Sequence, residues 1–152
     1  MAGRRVLGAG LIVGVALSAC GSSGSSTSDF KKKFQAEKRQ FQQLGRDIQS
    51  AGRNSKNDAQ LAGAFASLAS RTNQQATRLR NLNPPSKYKS QTNQLATDFD
   101  TVAADLTSIS NAASQNNGNA ARAGVSKLQQ DAASLKSVDQ SLSSSLGLPQ
   151  NG

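Results

Sequence analysis

Cys20, the only cysteine in this chain of 152 residues, is the residue with the most possible chemical roles. A thiolate becomes a catalytic nucleophile when a base lies beside it. The sequence contains no histidine, which removes the commonest metal ligand and the usual base together. One cysteine also cannot form an intramolecular disulfide. A catalytic, metal-binding or disulfide role for Cys20 is therefore not expected.

Aspartates are the second candidate for chemistry. Asp98 and Asp105 lie seven residues apart on one side of a predicted helix, and Arg71 and Arg78 have the same spacing on the preceding one. Two carboxylates could bind a cation, but metal sites in helical bundles normally combine Glu and His in helical register. Glu37 is the single glutamate. We expect salt bridges instead, with Arg71 facing Asp98 across a hairpin.

Cofactor motifs are missing as well. Gly8, Gly10 and Gly14 lie in an apolar N-terminal stretch and not between a strand and a helix, so they do not form a phosphate-binding loop. Haem or copper would need His or Met ligands, and Met1 is the only methionine. The sequence therefore predicts a protein that is not an enzyme, with no catalytic, cofactor or metal site.

The first twenty residues have the layout of an export signal. Residues 1–5 form a short basic segment, residues 6–17 are uncharged and mostly apolar, and small residues follow. Twelve helical residues span about 18 Å, which is short of the roughly 30 Å hydrocarbon core of a bilayer. A permanent transmembrane helix is not expected here.

The end of this segment, Leu17-Ser18-Ala19-Cys20, resembles the lipobox of bacterial lipoproteins. In that family a diacylglycerol is attached to the cysteine sulfur, and the signal is then cut immediately before it. The resemblance implies cleavage between Ala19 and Cys20. It also implies acyl chains on Cys20 that hold the protein on the extracytoplasmic face of the cell membrane, since two or three chains suffice for stable attachment. The alternative is an ordinary secretory signal with a chance cysteine.

Residues 21–28 contain only Gly, Ser and Thr, which predicts a flexible tether with a reach of about 15 Å. We therefore expect a signal peptide over 1–19, and the lipidated cysteine and tether over 20–28. A folded domain over 29–148 and a tail over 149–152 complete the expected organisation.

Four stretches have the apolar spacing of amphipathic helices, at residues 29–50, 58–82, 87–114 and 120–146. Strand-like alternation is missing, and the links are short, so neighbouring helices must run antiparallel. The sequence predicts an all-α, up-down-up-down four-helix bundle. The apolar stripe of the fourth helix is expected to comprise Ala121, Val125, Leu128, Ala132, Leu135, Val138, Leu142 and Leu146.

Local signals refine this prediction. Ser55, three residues before Asp58, is typical of a helix start. Gly45, Gly63 and Gly124 should each weaken a helix by about 1 kcal/mol relative to alanine. Because residues 51–57 are polar and ill-defined, partial disorder of the first two helices is the alternative.

Basic residues are concentrated in the first half. From Cys20 onward the chain has 16 basic and nine acidic residues, a net charge of +7, with +9 over residues 20–90 and −2 over 91–152. Anionic headgroups attract basic segments by about 1 kcal/mol per residue. We expect contact with an anionic surface at Lys31, Lys32, Lys33, Lys38 and Arg39; a solvated helix face is the alternative. Nucleic acid is not expected as a partner of an exported, anchored protein.

Two functions stay open. One is a tethered helical interaction module that meets an anionic envelope polymer or a protein partner, and the other is a carrier that holds a lipid or other apolar molecule between its helices. Residues 29–146 resemble the small four-helix lipoproteins of unknown function from high-GC Gram-positive bacteria, on Leu82-Asn83-Pro84-Pro85 and Tyr88 at the central hairpin. This resemblance implies the fold more than an activity.

Overall fold

The computed structural model describes residues 26–149, which form four α-helices. They are α1 (Thr27–Asn54), α2 (Asp58–Arg80), α3 (Ser86–Ser114) and α4 (Gly118–Ser145), and these residues contain no strand. Each helix packs on the next, which confirms the predicted all-α four-helix bundle. α1 begins earlier than predicted, because Thr27 and Ser28 are helical and do not belong to the tether.

Side-chain caps determine where three of the helices begin. The N-cap residues of α1, α2 and α4 are Ser26, Asn57 and Asn117, and each accepts a hydrogen bond from the backbone N–H three residues on, at 2.8–3.1 Å. These bonds satisfy donors that have no partner within the helix. The predicted cap at Ser55 is wrong: Ser55 ends α1 instead, where its hydroxyl donates to the carbonyl of Ala51 at 2.7 Å.

The core differs in composition from one interface to the next. α2 and α3 approach most closely because small residues face each other, and the buried alanines there include Ala62, Ala69, Ala76, Ala96 and Ala103. α1 contributes phenylalanines, and no Cα atom of α1 comes within 8 Å of one in α4. Bulky rings therefore hold α1 farther from its neighbours than α2 lies from α3.

A row of aromatic rings joins α1 to α3. Tyr88 stacks on Phe30 with the ring centroids 5.7 Å apart, Phe30 contacts Phe34 at 6.0 Å, and Phe34 contacts Phe41 at 6.1 Å. Phe41 then contacts Phe99 at 4.6 Å. Phe30 and Phe34 are fully buried. We call these five residues the aromatic row; it is the main apolar attachment of α1.

The predicted stripe of α4 is partly wrong. Leu128 and Leu142 are buried as expected, but Val125 is 38% exposed and Ala132 is exposed. The face of α4 that approaches α3 contains Gly124 in place of Val125. A glycine there lets the two helices pack closely, since a Cβ atom on it would lie 2.7 Å from Cγ1 of Ile109.

Substitution by alanine should therefore change the stability in opposite directions at Gly63 of α2 and Gly124 of α4. Gly63→Ala is expected to raise the free energy of unfolding by about 1 kcal/mol, because no atom lies near its Cβ position and alanine favours helix. Gly124→Ala should lower it by about 1 kcal/mol, because the clash with Ile109 outweighs the gain in propensity. Urea titration of both variants tests this, and a stabilised Gly124→Ala protein would contradict the close packing of α3 and α4.

Candidate functional site

The start of α1 and the end of α4 lie at the same end of the bundle, which we call the N-terminal end. α1 and α3 begin there, while α2 and α4 end there. Tyr88, in the first turn of α3, stacks on Phe30 of α1 and donates its hydroxyl to the carbonyl of Ser145 in α4 at 3.3 Å. Residue 26, where the described residues begin, also lies at this end.

α4 ends at a glycine turn. Gly147 has φ +60°, which favours glycine. The N–H of Leu148 donates to the carbonyl of Ser143, and the N–H of Gly147 donates to that of Ser144, both at 2.9 Å. This is the Schellman pattern that closes a helix C-terminus. Leu148, which follows this glycine, is buried.

Two lysines of α1 hold this turn. Lys31 donates from Nζ to the carbonyl of Gly147 at 3.0 Å. Lys38 donates from Nζ to Oγ of Ser143 at 2.9 Å and to the carbonyl of Pro149 at 3.3 Å. Cations are favoured at a helix C-terminus, where the carbonyl groups carry partial negative charge. We call Lys31 and Lys38 the lysine clamp.

Lys38 also forms an ion pair across the gap between α1 and α4. Its Nζ lies 3.7 Å from Oδ2 of Asp139, and the two side chains are only 10% and 16% exposed. Burial raises the pKa of Asp139, and the charge of Lys38 opposes that rise. The second oxygen, Oδ1, is buried without a hydrogen-bond partner. The ammonium group of Lys38 is therefore the group that stabilises a negative charge on the buried Asp139.

These contacts correct the prediction of an anionic-surface site. Lys38 is 8% exposed and its ammonium group is bound inside the bundle, so it cannot contact an external surface. Lys31 is half-buried and bound to Gly147. Lys32, Lys33 and Arg39 are exposed, and their contact with an anionic surface stays a prediction. The predicted signal cleavage and lipidation site, at Ala19 and Cys20, lies outside the described residues.

Two further lysines belong to the N-terminal end. Lys87 and Lys89 lie in the first turn of α3, on either side of Tyr88, and both are exposed. Nζ of Lys87 is 4.7 Å from the centroid of the Tyr88 ring. Sequence reasoning did not assign them to the site. The turn at Pro84-Pro85 was the available signal, because it places the start of α3 beside the start of α1 in an antiparallel bundle.

Arg71 and Arg78 of α2 pair with residues of α1, which differs from the prediction. Arg71 lies 2.7 Å from Asp47, and Arg78 lies 3.5 Å from Glu37. The expected pair of Arg71 with Asp98 is wrong, because Arg71 is on the side of α2 that faces α1. The hydrogen bond from Arg71 lowers the pKa of Asp47. These pairs hold α1 against α2 at the surface, where such pairs add little stability.

A carboxylate pair links α3 to α4. Asp105 is buried, and burial raises its pKa against the effect of a 2.7 Å hydrogen bond from Lys127. Lys127 also donates to Asp131 at 2.6 Å. The ammonium group therefore occupies the place that a cation would take between the two carboxylates. Across residues 26–149, no group of three or more Cys, His, Asp or Glu side chains could hold a metal ion.

An open groove of about 510 Å³ runs between α2 and α3. Ala66 and Ala69 contribute small apolar side chains to it, while hydroxyl and amide groups supply most of the remaining lining. The polar residues of the groove are Ser70, Asn73, Gln74, Thr77, Thr107, Ser110 and Asn111. None of these side chains carries a charge, so the groove would suit a neutral ligand.

The fold thus defines the class of the protein as an all-α four-helix bundle. None of the four described helices combines the length and apolar character needed to cross a bilayer. No family model matches the chain, and no curated protein or solved structure is significantly similar to it.

Proposed function

We propose that the chain is a bacterial lipoprotein whose helical bundle is a non-catalytic interaction module on the extracytoplasmic face of the cell membrane. The observation that carries this proposal is the sequence Leu17-Ser18-Ala19-Cys20, directly after the basic start and the apolar residues 6–17. The start of α1 at Thr27 supports it, because six residues that are all Gly or Ser, 21–26, separate Cys20 from the helix in the sequence.

The partner of this module is an anionic envelope polymer or another protein. Exposed basic side chains in the first half of α1 favour an anionic partner, and they are Lys32, Lys33 and Arg39. None of these three forms an ion pair within the described residues. Their charge is therefore available to an external anion.

Metabolic labelling with radioactive palmitate tests the anchor. The wild-type protein is expected to take up label and to fractionate with membranes, whereas Cys20→Ser should lose both properties because the acylated sulfur is gone. Ser23→Ala, a change in the spacer, is the matched control and should keep both. A labelled Cys20→Ser variant, or a wild-type protein with an intact N-terminus in the soluble fraction, would refute the proposal.

A carrier of a lipid or other apolar molecule is the second candidate. The groove between α2 and α3 favours it, with Ala66 and Ala69 as apolar lining. Native mass spectrometry of the purified protein distinguishes the two functions. A retained small molecule would support the carrier, and an empty protein that binds an anionic polymer or a partner protein would support the module.

A further inference from the structure

We infer that the N-terminal end of the bundle is a docking face for anionic phospholipid headgroups, formed by Lys32, Lys33, Lys87 and Lys89. We call these four residues the lysine face. The inference deepens the proposed function and rests on it, because the anchor at Cys20 is what brings this end to the bilayer.

Contacts within the bundle place the four lysines together. Phe30 and Tyr88 stack with their ring centroids 5.7 Å apart, which brings the first turn of α1 beside the first turn of α3. Lys32 and Lys33 follow Phe30 by two and three residues, and Lys87 and Lys89 flank Tyr88. Four exposed ammonium groups, on long and flexible side chains, thus surround one end of the aromatic row.

The lysine face is not neutralised by the protein. None of its members forms an ion pair within residues 26–149. Other basic groups toward this end are engaged: Arg78 pairs with Glu37, and Arg80 pairs with Asp100. The lysine clamp is bound to the end of α4. The lysine face thus holds the unpaired basic groups nearest this end, while the unpaired Arg39 and Lys136 lie farther along α1 and α4.

Acidic groups do little to reduce this charge. Asp29 is the carboxylate of the first turn of α1, and its Oδ2 accepts a hydrogen bond from Ser26 at 2.8 Å as part of the helix cap. The first turn of α3 has no acidic residue. At this end the charges of four lysines are thus opposed by one carboxylate, which is already hydrogen-bonded in the cap of α1.

The position of the chain entry favours a membrane over a soluble polymer. A polymer could approach any side of the bundle, but residue 26 lies at the N-terminal end. Five residues lie between it and Cys20, and the six Cα-to-Cα steps span only about 20 Å even when the chain is fully extended. An anchored bundle thus keeps the lysine face near the headgroups, and such confinement raises the effective concentration of the two surfaces.

Vesicle co-sedimentation of residues 26–152 tests this inference without the anchor. Within residues 26–149 the buried core runs from Phe30 to Leu148, so this piece contains the core that the structure describes. It is expected to bind vesicles of phosphatidylcholine with phosphatidylglycerol, and not vesicles of phosphatidylcholine alone. Changing the four residues of the lysine face to Gln should weaken binding several hundredfold, because each lysine contributes about fivefold, the equivalent of about 1 kcal/mol. Added salt should weaken wild-type binding.

The matched control removes four basic residues that lie nearer the opposite end and are also exposed: Arg46, Arg53, Lys56 and Arg122. Changing these four residues to Gln lowers the net charge by the same amount. If the position of the charge matters, this variant should lose far less binding than the variant of the lysine face. Circular dichroism checks that both variants are helical. Equal loss in the two variants would overturn the inference, as would a wild-type protein that ignores anionic vesicles but sediments with an anionic wall polymer. Palmitate labelling is unaffected by either result, so the anchor is judged separately.

Discussion

Lys38→Met is expected to lower the free energy of unfolding by about 3 kcal/mol, measured by urea titration near neutral pH. The substitution keeps most of the volume of the side chain but removes its charge. Asp139 would then remain buried with no counter-ion, and breaking one partner of a buried ion pair is strongly destabilising. Ser143 and the carbonyl of Pro149 would also lose a hydrogen-bond donor.

The cost of Lys38→Met should depend on pH. Burial raises the pKa of Asp139, so the folded protein binds this proton more tightly than the unfolded chain does. The contribution of Asp139 to stability is therefore most favourable in acid, and it falls as the pH rises from the ordinary aspartate pKa through the raised value. Loss of Lys38 raises that pKa further, so the deficit of the variant should shrink toward acid pH.

The second partner provides the control for this prediction. In an Asp139→Asn background, Lys38→Met should cost much less, and its cost should no longer change over the acid range. Substituting both residues with apolar ones, as in Lys38→Met with Asp139→Leu, should recover most of the lost stability. A deficit that is the same at every pH and in both backgrounds would show that the ion pair does not stabilise the bundle.

Phe34→Ala is expected to lower the free energy of unfolding by about 4 kcal/mol, again by urea titration. Phe34 is fully buried at the centre of the aromatic row, in contact with Phe30 and Phe41. Truncation removes its buried apolar surface and leaves a cavity that the neighbouring rings fill only in part. Because α1 has few other apolar attachments, much of this loss should appear as detachment of α1.

Phe34→Leu is the matched control, since leucine keeps an apolar side chain of similar reach in the same position. It should cost less than half as much as alanine. Hydrogen exchange would show the site of the damage: in Phe34→Ala, amides of α1 should exchange faster than those of α3. If the alanine variant unfolds with wild-type stability, the aromatic row does not attach α1.

The sequence predicted the helices because their apolar spacing is regular and their ends carry clear breakers. On α3, the residues with this spacing are all buried, and they are Tyr88, Thr92, Leu95, Phe99, Val102, Leu106, Ile109 and Ala113. Pro84-Pro85 indicated the position of the central turn. Such local signals depend on a few neighbouring residues, which is why one sequence is enough to recognise them.

Lys38 and Asp139 show what such signals cannot predict. Lys38 lies between Glu37 and Arg39, a charged context that is typical of a solvated face. Its burial depends on the width of the gap between α1 and α4, which the phenylalanines of α1 set from a distance. The same limit explains Arg71, since its partner is decided by which side of α2 faces α1. On α4, an apolar residue at Val125 misled the prediction, because helix packing selected the smaller Gly124.

The lysine clamp has a consequence for the order in which the protein folds. It joins residues that are far apart in the chain: 105 positions separate Lys38 from Ser143, and 116 separate Lys31 from Gly147. Closing so long a loop costs entropy before any contact forms. The hairpins between successive helices, including that of α1 and α2, close much shorter loops, so they are expected to assemble first. The contact of α1 with the end of α4 is then the last to be secured.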